Sequence, residues 1–471
     1  MRISLDWIGD YVNLEGHSPE ELAELLSLHT AEVEGVEYFG GTVEGVVVGH
    51  VVECAPHPDA DRLSLTCVDA GGGEPVQVVC GAPNVAAGQK VAFAPVGVTL
   101  PDGTCLKKAK LRGQESLGMI CSSSELGLGE DLDGILVLPE DSEIGLPLDE
   151  VLGPPDAVLI LDNKSLTHRP DLWGHYGFAR EFAAILKRPL KPMPLAEGWK
   201  GEEVEVDIDL EDIEGCPLYF GLRVDLGSSL GASCAQVSRR LRAVGVRPHN
   251  DLVDLTNYIL LELGQPTHVF DFEKVESSKI VVRQARKGES LTTLDGSSRK
   301  LREQDLVIAD AQKPIALAGV MGGEDSEVRE DTSRVLLESG VFHSARVRRA
   351  SVAHALRSDA SSRFEKGLDP ALAHQALLRF AYLLESFRPE DKILGPPVQA
   401  GYVEPAKREV ALDAHGASTL LGMSLSPDDL AAALSPLGFE VEINESGVVA
   451  QVPSWRATRD IEGSEDVLEE V

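Results

Sequence analysis

Between Thr42 and about Leu152 the chain is cut into short alternating or β-branched runs: VEGVVVGHVVE, RLSLTCVDA, PVQVVCG, KVAFAPVG and GILVLPE. Gly, Pro, Asn and Asp turns separate them. Such regular short strands predict a small closed β-barrel. Among them, Lys107-Lys108-Ala109-Lys110-Leu111-Arg112 places four basic residues in six. The whole chain has 43 Lys+Arg against 77 Asp+Glu, a net charge of −34. Bulk charge therefore excludes a general nucleic-acid binder, and any such contact must use a local basic patch. The basic run is either that patch, on an OB-type barrel, or a solvated hairpin.

At 471 residues the chain is too long for one ordinary domain, and about three or four are expected. Its 43% hydrophobic content supports packed cores. The seven cysteines are scattered singly with no C-x-x-C pair, which argues against a zinc knuckle and a disulfide framework. The N-terminus MRISLDWIGDY lacks a signal-peptide core. No run of about 18 apolar residues occurs, so no membrane span is predicted and the cytoplasm is the expected compartment.

Ser18, Pro19 and Glu21 spell a helix start with a capping box, and Leu22, Leu25 and Leu26 form its apolar stripe. Ser426-Pro427-Asp428-Asp429-Leu430 repeats that start, and each helix precedes a strand-like segment, VEGVEYF or FEVEI. These are two similar helix–strand units or a chance convergence. Val158–Leu186 returns to mixed character, with AREFAAIL a predicted helix. KRPLKPMPLAEGWKGEE and RPEDKILGPPVQAGYVEP read as linkers around a larger α/β region from about Val204 to Glu385. In the final unit, Lys407–Val471, DIEGSEDVLEEV starts a helix with Val467, Leu468 and Val471 on its apolar face. No stop signal follows, so a longer protein is expected.

Arg247–Asp271, RPHNDLVDLTNYILLELGQPTHVFD, interleaves apolar residues with neutral polar ones (Asn250, Thr256, Asn257, Tyr258, Gln265, Thr267, His268). Buried polar groups are costly unless satisfied, so the mixture points to a recognition pocket. Glu338 sits in VLLESGVF, directly after a strand-like apolar run. Gly319, Gly322 and Gly323 in LAGVMGGEDS permit close backbone approach. RSDASSRFEKG comes next. No Ser–His–Asp order and no G-x-S-x-G occurs, and a lone histidine equally suits a core position. The carboxylates Asp460, Asp466, Glu469 and Glu470 repel one another on a helix, which suggests a neutralising cation such as Mg²⁺. The same acids also suit a helix N-terminus.

HPDADRL, CGAPNV, LRGQESLGMICS, LVDLTNY, LAGVMGG, RFEKGLDP and RDIEGSEDVLEEV, in this order, resemble the β subunits of bacterial phenylalanyl-tRNA synthetases. The resemblance implies a multidomain α+β chain. An OB-fold tRNA-binding barrel (42–151) would be inserted in a small N-terminal α/β domain (1–41 and 152–200). An α/β editing domain (201–387), a linker (388–406) and a truncated winged-helix-like, DNA-binding-fold α/β domain (407–471) would follow. It also implies an α₂β₂ heterotetramer in which the α subunit uses ATP to activate phenylalanine. This chain would contact tRNA(Phe), in part through Lys107, Lys108, Lys110 and Arg112, and hydrolyse misacylated Tyr-tRNA(Phe). Editing residues carry over onto Asn257, His268, Gly322, Glu338, Ser358 and Ala360. Mg²⁺ ligands, shared with the α subunit, carry over onto Asp460, Asp466, Glu469 and Glu470. Departures are Ser358 for the family's usual threonine, Asp251 in a usual Asn-Asn pair, and GQPTHVFD for GQPLHAFD. The alternatives are a non-catalytic RNA-binding and assembly scaffold and, more weakly, a metal-dependent hydrolase.

Overall fold

The computed structural model describes residues 1–40, 44–128, 134–140, 142–153, 155–199, 201, 206–404 and 406–471. The expected boundaries at 42, 200 and 204 lie outside the described residues, as does 405 in the second expected linker. The chain divides into two compact units: Met1–Asp6, Glu34–Leu161 and Ala232–Asp254 in one, Trp7–Val33, Asp162–Gly231 and Leu255–Val471 in the other.

The first unit holds β1 (Arg2–Ser4), β2 (Val33–Phe39), β3 (Val47–Pro56), β4 (Ser64–Asp69), β5 (Val76–Cys80), β6 (Lys90–Pro95), β7 (Ala109–Leu111), β8 (Gln114–Ser116), β9 (Gly118–Ile120), β10 (Val137–Leu138) and β11 (Asp156–Leu161). The predicted barrel strands form one sheet in the order β10-β6-β3-β4-β5, with β9 also on β6. The sheet nearly closes: Leu117 N donates to Gln77 O at 2.9 Å, and Val79 N to Ser116 Oγ at 3.1 Å. Its interior is β-branched and aromatic, with Val51, Val68, Val78, Val91 and Phe93. Gly49 is required there, because a Cβ would lie 2.7 Å from Val68 and 2.8 Å from Phe93. β1, β11 and β2 form a separate three-stranded sheet, so segments before and after the barrel pair with one another.

The second unit carries β12 (Asp207–Leu210), β13 (Leu218–Asp225), β14 (Thr267–Asp271), β15 (Lys279–Gln284), β16 (Ser290–Thr292), β17 (Ser298–Lys300), β18 (Leu306–Ala309), β19 (Pro314–Leu317), β20 (Met321–Gly322) and β21 (Arg334–Val341). β22 (Lys392–Ile393), β23 (Val398–Gly401), β24 (Arg408–Asp413), β25 (Glu440–Ile443) and β26 (Gly447–Val452) complete it. One sheet runs β12-β15-β18-β19-β20 and another β14-β21-β13-β22, with β23 also on β13. Tyr219, Phe270 and Leu336 of the second sheet share a buried cluster with Ile280, Val282, Val307 and Leu317 of the first. Both predicted capping boxes form, on the helices Pro19–His29 and Pro427–Leu434. The terminal helix is Ser464–Glu469, with Val467 and Leu468 buried.

Neither expected linker is free chain. The Pro-rich segment is strapped down: Lys191 N donates to Tyr11 O at 2.8 Å, Arg379 Nη1 to Pro194 O at 2.8 Å and Ala196 N to Leu378 O at 3.1 Å. The segment expected as linker 388–406 supplies β22 and β23, whose backbone groups satisfy the edge of β13.

The helix Asp251–Leu263 also corrects an expectation. Much of its polar content is structural. Tyr258 packs on Trp7 with ring centroids 4.2 Å apart, and Gln265 donates to Pro266 O at 3.1 Å and Gly340 O at 3.2 Å. The residue that organises it is charged. Glu262, 0% exposed, receives Arg379 through Nε at 2.7 Å and Nη2 at 2.8 Å, together with Trp7 Nε1 at 3.3 Å and the Tyr11 hydroxyl. Removing one partner of such a pair strands the other's charge, at about 3–5 kcal/mol. Arg379→Leu is therefore expected to lower stability by about that much. The urea midpoint of unfolding measures it, and an unchanged midpoint would contradict the role given to the pair.

Candidate functional site

The β14–β21–β13 register places His268 opposite Glu338, and Glu338 opposite Gly221. The three residues therefore share one face of the sheet, since side chains alternate with period two. This is the face of Tyr219, Phe270 and Leu336, turned into the shared core. Gly322 lies against the imidazole: a Cβ there would sit 2.6 Å from both Cε1 and Nε2 of His268. Gly319 makes the preceding turn at φ +68°, where a Cβ would meet Val347 at 2.9 Å. Ser358 caps the helix Asp359–Phe364: its Oγ accepts from Ser361 N at 3.0 Å and donates to Val320 O at 2.6 Å. One hydroxyl thus ties the helix start to the Gly319–Gly322 segment. Ala360 packs partly buried against the same core. Asn257 is half-buried, and no hydrogen bond joins it to the others among the described residues.

Burial sets the electrostatics. Glu338, 7% exposed, is pushed up to about 8, and the same cause pulls His268 down to about 4. Near neutral pH both groups are thus mainly uncharged, and they do not form an ion pair. His268 Nε2 and the Tyr219 hydroxyl are shut off from solvent without a hydrogen-bond partner among the described residues. A neutral acid beside a neutral imidazole is poorly suited to charge transfer. It is well suited to hydrogen-bond a ligand hydroxyl and to hold a water. Tyr219 escapes sequence reasoning; its only signal is the alternation with Gly221 in YFGLRVD.

The expected metal ligands do not converge. Asp460 and Glu470 both pair with Arg456, and Asp460 also lies 3.6 Å from Arg169 Nε. Asp466 accepts from Glu462 N at 2.7 Å and Gly463 N at 2.9 Å, bonds that hold its carboxyl below the usual range. Glu469 is exposed. The positive charge expected of Mg²⁺ is supplied by arginine, and no group of three or more His, Cys, Asp or Glu that could hold a metal forms among the described residues.

The basic run forms the exposed β7–β8 hairpin. Its turn has positive φ at both Arg112 (46°) and Gly113 (89°), as a two-residue hairpin with the twist of its strands requires. Lys108 pairs with Glu115 at 2.9 Å, while Lys107, Lys110 and Arg112 project as exposed cations. Among the described residues no helix is long and apolar enough to cross a membrane.

Family models match three parts of the chain. Residues 46–147 match a tRNA binding domain, 215–388 a B3/4 domain and 410–471 a tRNA synthetase B5 domain. Over its whole length the chain is 46% identical to the phenylalanine–tRNA ligase β subunit of Geobacillus kaustophilus, 45% to that of Anaeromyxobacter dehalogenans and 42% to that of Bacillus subtilis. The chain belongs to the phenylalanine–tRNA ligase β-subunit family. It spans 58–59% of the length of these relatives. A solved N-terminal fragment of the phenylalanyl-tRNA synthetase β subunit from Pyrococcus horikoshii aligns with 67% of this chain and 86% of its own, at 18% identity and a TM-score of 0.36. That likeness is too loose to carry an argument.

Glu338 should mark the stability of this β-subunit-family chain. Its folded value of about 8 lies above the ordinary 4.5, so the folded state keeps a proton that the unfolded state has lost. The stabilisation is complete below about 4.5 and is lost as pH rises through about 8. His268 runs the other way, with its contribution complete above 6.5 and lost as pH falls through about 4. Glu338→Gln has no proton to lose at this position. Between 4.5 and about 8 it should therefore gain stability relative to wild type. The gain should be roughly 1.4 kcal/mol for each step of one in pH. Urea midpoints across that window test it, and parallel profiles would refute the assignment.

Proposed function

We propose that this chain is the β subunit of a phenylalanine–tRNA ligase that contacts tRNA(Phe) and hydrolyses misacylated Tyr-tRNA(Phe). The observation that supports the hydrolytic part is the His268–Glu338 pair: two uncharged polar groups, without hydrogen-bond partners among the described residues, facing each other across adjoining strands, with the His268 imidazole lying where a side chain at 322 would be. A hydrophobic pocket rejects an added hydroxyl weakly, by about 10², whereas a site built to hydrogen-bond it discriminates by about 10⁴–10⁵. On this reading Glu338 takes the tyrosine hydroxyl, and His268 and Asn257 place the ester or the attacking water. Ser358 and Ala360 form the facing wall, with the Ser358 hydroxyl acting through its bond to Val320. No covalent nucleophile is needed.

The finer architecture fits the same proposal. The barrel is an OB-fold (42–151) inserted in an N-terminal α/β domain, the B3/4 match at 215–388 supports an editing domain at 201–387, and 407–471 is winged-helix-like. Lys107, Lys108, Lys110 and Arg112 present the hairpin to tRNA. The partner is the α subunit in an α₂β₂ assembly in the cytoplasm. ATP and Mg²⁺ serve the activation of phenylalanine on that partner. A metal at Asp460, Asp466, Glu469 and Glu470 would have to displace Arg456, so no step is assigned to it. The exposed cationic hairpin is equally compatible with a non-catalytic RNA scaffold, and a hydrolysis assay separates the two.

Glu338→Ala and His268→Ala are each expected to slow Tyr-tRNA(Phe) deacylation, with Glu338→Ala losing on the order of 10²-fold of the preference over Phe-tRNA(Phe). Single-turnover release of labelled tyrosine measures it. Wild-type rates in both variants would favour the scaffold.

A further inference from the structure

Positive charge also collects outside the barrel hairpin. Residues 283–302 carry six Lys or Arg against two acids, and residues 344–349 carry three Arg and no acid, in a chain of net charge −34. The fold brings these segments together: Arg302 Nη2 donates to Arg349 O at 3.2 Å. Gln284, Arg302, Gln304, Arg346 and Arg349 line a groove of about 180 Å³. It shares Gln284, Arg302 and Gln304 with an open depression of about 550 Å³ that adds Lys287 and the acid Glu303. Much of this charge is engaged internally, Arg283 with Glu289, Arg299 with Asp295, Arg302 with Asp305, and Arg346 with Asp212 and Glu214. Arg348 and Arg349 are exposed and form no ion pair among the described residues.

The groove connects to the candidate site through a short series of contacts. Leu294, at the tip of the β16–β17 hairpin, donates its N–H to Gly322 O at 3.1 Å. Arg299 of the same hairpin donates to Thr293 Oγ1 and to His354 O, each at 2.9 Å. His354 is the C-cap of the helix Ser344–Ala353, which carries Arg346, Arg348 and Arg349. Guanidinium groups offer a planar fork of N–H donors, which matches the paired non-bridging oxygens that repeat along a phosphodiester chain.

We propose that Lys287, Arg302, Arg346, Arg348 and Arg349 form a phosphate track that holds the RNA portion of the substrate while its ester end reaches Gly322, His268 and Glu338. This rests on the hydrolytic reading above and adds a second RNA-contacting surface to the barrel hairpin. The test uses the purified chain carrying Arg348→Glu and Arg349→Glu together, with an acceptor-stem minihelix RNA that ends in a single-stranded 3′ segment. Filter binding from about 50 to 200 mM KCl should show about a tenfold or greater loss of affinity. The log–log salt slope should flatten by about 1.4, the value for two single-strand phosphate contacts. Unchanged affinity and slope in a variant with the wild-type melting temperature would overturn the track, as would a wild-type chain that does not bind the minihelix. In a second arm the double variant should hydrolyse 3′-O-tyrosyl-adenosine, which has no phosphate, at the wild-type rate while its KM for Tyr-tRNA rises. Equal loss on both substrates would place the effect in the pocket and overturn the track. A wild-type chain that hydrolyses neither substrate defeats the hydrolytic reading alone, and the binding arm still decides the track.

Discussion

The register of β14, β21 and β13 is the constraint on which the candidate site depends. Because side chains alternate strictly along a strand, a slip of one residue would turn Glu338 and His268 onto the opposite face. The backbone ladder, a non-specific interaction, thus delivers two specific side chains to one spot. Two of its neighbours are glycines. Gly221 lies beside Glu338 on one neighbouring strand, and Gly322 lies against His268 from the other sheet. Burial then keeps both groups neutral, so the position of the pair and its chemistry have the same cause.

Charge is handled differently in the interior and at the surface. Inside, arginines are matched to carboxylates: Arg379 to Glu262, Arg169 to Asp171 and Glu181, Arg456 to Asp460 and Glu470. The Arg379–Glu262 pair joins segments 117 residues apart, and neither partner of such a pair tolerates burial alone. A strongly acidic chain can therefore have an ordinary core. Its excess of carboxylates lies mainly outside, and patches of exposed cations stand out against that background.

Much of this is legible in the sequence, and the failures share a physical cause. Capping boxes, barrel strands and the terminal apolar face rest on local rules, and they form where residues such as Ser18, Ser426 and Val467 indicate. The two linkers mislead because Pro and Gly composition reports what a segment cannot do alone. It does not report that Arg379 and Leu378 bind the Pro-rich strap, or that β13 has an edge to fill. Glu262 is easily passed over, since a glutamate in a helix ordinarily signals water. His268, Gly322 and Glu338 can be nominated from their motifs, but their juxtaposition is a matter of pairing across some 70 residues of chain, which no local pattern encodes. The carboxylates at the end of the chain are close in sequence, and in the structure Asp460 and Glu470 pair with Arg456.

Gly322 leaves this part of the molecule almost no freedom to vary. Any side chain there would push the imidazole away, so that wall of the site admits one residue of the twenty. Leu294 is under no such restriction. It sits at a hairpin tip, 40% exposed, and its Cδ1 comes within 3.2 Å of where that missing Cβ would be. A change of side chain at position 294 leaves the strand register beneath undisturbed, so the floor is fixed while the rim can change.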